Sequence, residues 1–187
     1  MNKGIIKNIF SAFAKKNPNP KTELNFTNNY TMLVAVVLSA QATDTGVNKA
    51  TKALFDQISK PEEMIALGEE ELKKHVRTIG LFNSKAKNII KLSHVLVESY
   101  NSQIPNSLEE LIKLPGVGTK TAKVVLNAAF NINEIAVDTH VFRTSRRLGI
   151  ATKKTIPSVE KELPKQIPKE YQLKAHHWLV LHGRYIC

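Results

Sequence analysis

The chain has 187 residues, 42% of them hydrophobic and 6% aromatic, with a formal charge of +11 and a single cysteine. That length suits one domain or two small ones with a core able to fold unaided, and one cysteine excludes an internal disulfide framework and fits a reducing compartment. The longest apolar run, Met32 to Leu38, is too short to cross a bilayer, so a cytosolic protein is expected, and the charge points to a polyanionic partner, because neutralising phosphates releases counterions and drives sequence-independent binding.

Apolar residues recur at helical spacing and no strong strand run is present, which predicts an all-α fold. Lys3 to Lys16 sets Ile5, Ile6, Ile9, Phe10 and Phe13 on one stripe, and Asn17-Pro18-Asn19-Pro20 ends that helix. From Asn28 to Ala40 the sequence is apolar all round, the mark of a helix enclosed by others. Ser39-Ala40-Gln41-Ala42-Thr43-Asp44 breaks the run, and Asp44 is the expected N-cap of a helix over 45–58. Pro61 then opens a helix at its first position, with acids in the first turn, and Glu69 to Val76 forms another. Thr78 to Ala86 is a glycine turn carrying the apolar Leu81 and Phe82, from which Ser84 is expected to cap a long helix reaching Tyr100.

Ser107 to Leu114 reads as a short amphipathic helix, followed by a glycine hairpin and a helix over Thr119 to Phe130. Ile135 to His140 leads into a helix through Leu148, with Asp138 where an N-cap belongs and Gly149 as the stop. A short helix after Pro157 and a longer one from about 168 to 183, with Trp178, Leu179 and Leu181 apolar, complete the chain.

The chemistry centres on Leu114-Pro115-Gly116-Val117-Gly118-Thr119-Lys120-Thr121. A phosphate-binding P-loop needs glycine directly before its lysine and a strand ahead of it; here Thr119 intervenes and a helix precedes. The dinucleotide fingerprint fails because Thr121 stands at its third glycine. A helix-hairpin-helix remains, whose amides and helix N-terminus hold backbone phosphates without reading bases. Lys120 is then either one more surface lysine or a nucleophile: near the positive end of a helix dipole, in a partly desolvated cleft, its neutral amine is favoured and can form Schiff bases. Such a lysine needs an ionised carboxylate to accept a proton or stabilise a cationic sugar, and Asp138 is the candidate, a purely structural N-cap being the alternative. His176, His177, His182 and Cys187 lack zinc-ligand spacing, so helix packing and capping account for them better. Arg143, Arg146, Arg147 and Arg184 read as phosphate contacts or as solvated charge.

These motifs together resemble the endonuclease III family within the helix-hairpin-helix base-excision glycosylases. The pieces that carry the resemblance are Leu38 to Asp44, Gly80 to Ala86, Leu114 to Ala122, Val137-Asp138-Thr139-His140, and His176-His177-Trp178 through His182-Gly183-Arg184. The resemblance implies a DNA glycosylase and AP lyase that removes oxidised pyrimidines from double-stranded DNA, acting as a monomer. Lys120 matches the family's Schiff-base lysine and Asp138 its assisting aspartate, acting on a nucleotide extruded from the stack. Gln41 and Leu81 match residues that enter the DNA where the nucleotide has left, an apolar wedge replacing lost stacking. Gly116, Gly118, Thr119 and His140 complete the implied DNA contacts. The implied fold is a six-helix barrel over 22–132, with the helix-hairpin-helix at about 107–130, beside a terminal domain of 1–21 plus 133–187, the DNA cleft lying between them. The family continues into a four-cysteine 4Fe-4S loop whose first ligand Cys187 matches. One thiolate cannot hold a cluster that takes four, so a fragment or truncated chain is expected, with weaker DNA binding and a less stable terminal domain.

Overall fold

The computed structural model describes residues 2–187. Among the described residues the chain is helical throughout, with no strand. In order the helices are α1 Lys3–Lys16, α2 Asn29–Ser39, α3 Asp44–Phe55, α4 Pro61–Leu67, α5 Glu69–Val76, α6 Phe82–Tyr100, α7 Leu108–Leu111, α8 Thr119–Phe130, α9 Thr139–Arg147, α10 Ile156–Gln166 and α11 Lys169–Tyr185. The chain divides into two compact units, Glu23–Val125 and Met1–Thr22 with Leu126–Cys187, so the second boundary falls inside α8 rather than at 132.

The Glu23–Val125 unit is built around α2. Every residue from Tyr30 to Leu38 is buried, as an all-round apolar helix requires. Its start is fixed by Asn28, whose side chain accepts from the Thr31 N–H, while the Thr31 hydroxyl accepts from the Asn28 N–H. Helices α3 and α6 pack on it, and α4 and α5 pack on α6. Tyr30, deep in this core, shares a 2.7 Å hydrogen bond with Ser93 of α6, and burial drives its phenol pKa upward.

Two expected caps fall elsewhere. The N-cap of α3 is Thr43, whose Oγ1 accepts from the Gly46 N–H at 3.1 Å, and Asp44 is the first helical residue. Thr and Asp are both good caps, and the turn geometry chose the earlier one. Helix α6 begins at Phe82, ahead of Ser84, because its N-cap is Leu81 in a left-handed conformation; Ser84 donates to the Leu81 carbonyl at 3.0 Å from within the first turn. Helix α7 is shorter than expected, starting after the Ser107 cap and loosening into turns from Ile112 to Gly116.

The other unit joins the chain's two ends. Phe10 and Phe13 of α1 meet Tyr171 and Trp178 of α11, with Phe10 stacked on Tyr171 at 5.9 Å between centroids. The Trp178 indole donates to the Asn17 carbonyl at 2.8 Å, closing the end of α1. Ile135, Val137, Val141, Ile150, Val159 and Leu163 fill the rest of this core. Helix α10 is longer than the short segment expected after Pro157, since it continues through Pro164. The Gln172 side-chain amide donates to the Pro164 carbonyl at 2.7 Å, supplying a partner to a carbonyl in the last turn of the helix.

Candidate active site

The glycine hairpin takes its shape from one left-handed residue. Gly116 has φ +80, and the Val117 N–H donates to the Leu114 carbonyl at 3.1 Å. A methyl group on Gly116 would lie 2.9 Å from the Asn88 Cβ of α6, so glycine is required both by conformation and by close approach. Gly118 differs: no heavy atom lies within 4 Å of a Cβ added there. Gly118, Thr119 and Lys120 are all exposed, so the hairpin presents an open backbone surface at the start of α8. Exposure also means that the desolvation expected of Lys120 is not provided by its own burial.

In the same unit, Gln41 and Leu81 sit on adjacent turns. Both have positive φ, 56 and 60, a conformation few non-glycine residues adopt. A Cβ built on Gly80 would lie 3.9 Å from the Gln41 carbonyl oxygen. Gln41 is exposed and Leu81 is 63% exposed, an unusual place for leucine.

Asp138 belongs to the other unit. It caps α9 by accepting from the Val141 N–H at 2.7 Å, while its own carbonyl accepts from the Phe142 N–H. The half-buried carboxylate therefore sits at the positive end of α9, as the sequence placed it. The segment leading to it, Ile135 to Val137, is buried, and His176 Nδ1 of α11 bonds the Ala136 carbonyl at 2.9 Å. His140 lies in the first turn of α9, where its ring Nδ1 is 3.3 Å from Arg143; Arg143 also donates to the Gly183 carbonyl of α11. Gly183 lets α11 approach closely, since a Cβ there would meet Thr144 Oγ1 at 2.6 Å. His176 thus ties α11 to the segment before Asp138, and Arg143 ties α9 to α11.

The remaining candidates separate by chemistry. Burial, and secondarily the neighbouring His176, lowers the His177 pKa to about 4, so the ring is neutral at pH 7. Arg147 donates to the Cys187 carbonyl and thiol, and that hydrogen bond, with the Arg147 and Arg143 charges, draws the thiol pKa down. Arg146 lies over the Phe142 ring at 5.3 Å. A lowered thiol suits metal ligation, but Cys187 is the chain's single cysteine, and among the described residues no three His, Cys, Asp or Glu side chains are placed to share a metal ion. These residues do not fit a 4Fe-4S cluster, which takes four ligands. Among the described residues no helix is long and apolar enough to cross a membrane.

Residues 34–169 match the HhH-GPD superfamily base excision DNA repair proteins. The chain belongs to this superfamily. Within it, the chain is 57% identical over 183 residues to endonuclease III of Rickettsia prowazekii strain Madrid E, covering 98% of this chain and 86% of that relative. Endonuclease III of Escherichia coli strain K12 is 49% identical over 187 residues, covering 100% of this chain and 89% of the relative. A solved structure described as a trapped endonuclease III–DNA covalent intermediate superposes with a TM-score of 0.90 at 46% identity, covering 99% of this chain and 87% of that one. Relatives of that similarity place the chain in the endonuclease III family, whose 4Fe-4S cluster is therefore implied although this chain's residues cannot hold it.

The Lys85 ammonium, buried beside the two left-handed turns, was not legible in the sequence. It lies within Gly80 to Ala86, yet nothing in a run of lysine and alanine marks which lysine turns inward.

Proposed function

We propose that the chain is a bifunctional DNA glycosylase and AP lyase of base excision repair, removing oxidised pyrimidines from duplex DNA and cleaving the strand 3′ to the resulting site. That it is a base excision repair glycosylase follows from the family and from relatives that cover nearly its whole length. The lyase reading rests chiefly on one observation: a structure 46% identical to this chain holds endonuclease III covalently bound to DNA. This chain presents the matching means, an exposed lysine in the first turn of α8 beside an open glycine hairpin.

In this reading the hairpin amides at Gly116 to Thr119 and the N-terminus of α8 hold a backbone phosphate. Lys120, deprotonated, attacks C1′ of the extruded nucleotide as the base leaves with its bonding electrons. Loss of a proton from nitrogen and ring opening give the Schiff base, and removal of a C2′ proton then expels the 3′ phosphate by β-elimination. The Asp138 carboxylate, which accepts from the Val141 N–H, stabilises the positive sugar as the base departs. Gln41 and Leu81 fill the space left in the duplex, and His140 contributes a contact from α9. The enzyme acts as a monomer.

Incubating the protein with duplex containing an abasic site or thymine glycol, then adding borohydride, tests the reading. A covalent adduct that vanishes in Lys120→Ala is expected; a stable complex without adduct would instead describe a non-catalytic helix-hairpin-helix binding module. Asp138→Asn retains an oxygen to cap α9, so DNA affinity should hold while turnover falls by about 100-fold.

A further inference from the structure

Lys85 is the buried charge that the proposed reaction does not use. The residue is 6% exposed, in the first turn of α6, and its Nζ donates to the Leu38 carbonyl at 2.9 Å. Burial lowers its pKa. A methionine of similar volume would satisfy this part of the core with no desolvation cost, so the ammonium calls for a physical reason. Leu38 lies in the last turn of α2, where carbonyls lose their helical partners and the dipole is negative. The chain leaves the helix here: the Ala42 N–H turns back to Ser39, and Gln41 takes φ 56. The Lys85 ammonium therefore closes the end of α2 one turn before Gln41.

The same residue holds the other turn. Its backbone N–H donates to the Leu81 carbonyl at 3.1 Å, the first helical bond beyond a leucine at φ 60. A left-handed conformation costs roughly 1–2 kcal/mol for a residue other than glycine, so both turns persist only where their surroundings impose them. The two turns adjoin at Gly80 and Gln41.

We propose that Lys85 is a positioning residue that locks the Gln41 and Leu81 turns together as one rigid wedge for the gap left in duplex DNA. The proposal rests on the reading of Gln41 and Leu81 as DNA contacts. Without the ammonium the Leu38 carbonyl is unpaired, the α2 end relaxes, and the Gln41 turn no longer stands in register with Leu81. Extrusion from duplex suffers, whereas a single strand, with no stack to fill, is affected far less.

The test compares single-turnover cleavage of an abasic site in duplex and in single-stranded DNA for Lys85→Met, Leu81→Ala, Gln41→Ala and the double variant Lys85→Met/Leu81→Ala. Lys85→Met is expected to lower the duplex-to-single-strand rate ratio about tenfold, in line with the cost of small misplacements. Adding it to Leu81→Ala should lower the ratio less than about twofold further, because residues acting through one element are not additive. If the ratio survives Lys85→Met while Leu81→Ala lowers it, or if the double variant shows fully additive losses, the proposal is overturned. Should neither Leu81→Ala nor Gln41→Ala change the ratio, the DNA-contact reading fails and this inference with it, while borohydride trapping on Lys120 still reports on the lyase. Lys85→Gln, which retains an N–H donor, replaces Lys85→Met in the same comparison if the latter melts below the assay temperature.

Discussion

His177 shows what a single half-buried side chain does to the whole molecule's response to acid. On α11 its ring packs 5.2 Å from that of His176, and burial holds its pKa at about 4. An unfolded chain has the ordinary value near 6.5, so between those values it binds a proton that the folded chain refuses. Stability from this group is therefore fully present above about pH 6.5 and is lost as pH falls toward 4, by on the order of 3 kcal/mol. Urea unfolding at pH 7.5 and 4.5 measures the loss. Carboxylates with lowered pKa, Glu63 and Glu162 among them, act in the same direction at lower pH. The difference between wild type and His177→Gln isolates the imidazole; equal acid sensitivity of the two would show that His177 does not titrate as described.

At the scale of elements, the hairpin's two glycines do different work. Gly116 is fixed by φ +80 and by Asn88 underneath, so Gly116→Ala should destabilise the protein by about 2 kcal/mol, from left-handed strain and overpacking together. Gly118 has open space around its Cβ position, so Gly118→Ala should unfold in urea like the wild type to within about 0.5 kcal/mol. A methyl group there would stand where a phosphate must approach the amides, and DNA affinity should drop about tenfold. Fluorescence-monitored unfolding and anisotropy titration separate the two. Equal stability losses would mean that Gly118 too is a structural glycine. Helix limits at this scale were largely legible: α1, α5 and α8 run where their apolar stripes and stop signals put them. The caps were less so, because Thr43 and Asp44 both qualify chemically and only the local turn selects between them.

For the whole molecule, the formal charge of +11 sets the character of binding. If the chain covers a DNA duplex through five or so phosphates, log affinity should fall with log salt at a slope of about −4 or steeper. Titrations between 50 and 200 mM salt would read this as a loss of roughly 200-fold or more. A slope near zero would remove the backbone-phosphate account of the hairpin and of the basic charge.

The sequence by itself determined the helical class, the enclosed α2, the glycine hairpin with Lys120 behind it, and Asp138 as a cap. Each is a local signal, set by periodicity, by a positive-φ glycine or by a side chain bonding its own backbone a few residues on. What the tertiary structure alone decided depends on contacts between distant segments. Lys85 turns inward because the end of α2, 47 residues away in sequence, offers it a carbonyl. His176 is tied to the segment before Asp138 across 40 residues. Gly116 must be glycine partly because Asn88 lies against it, and the left-handed Leu81 has its carbonyl bonded by the Lys85 N–H of α6 while the preceding Gly80 lies near the Gln41 carbonyl. Local patterns name the groups that could react; only packing across the chain fixes which buried groups hold them in place.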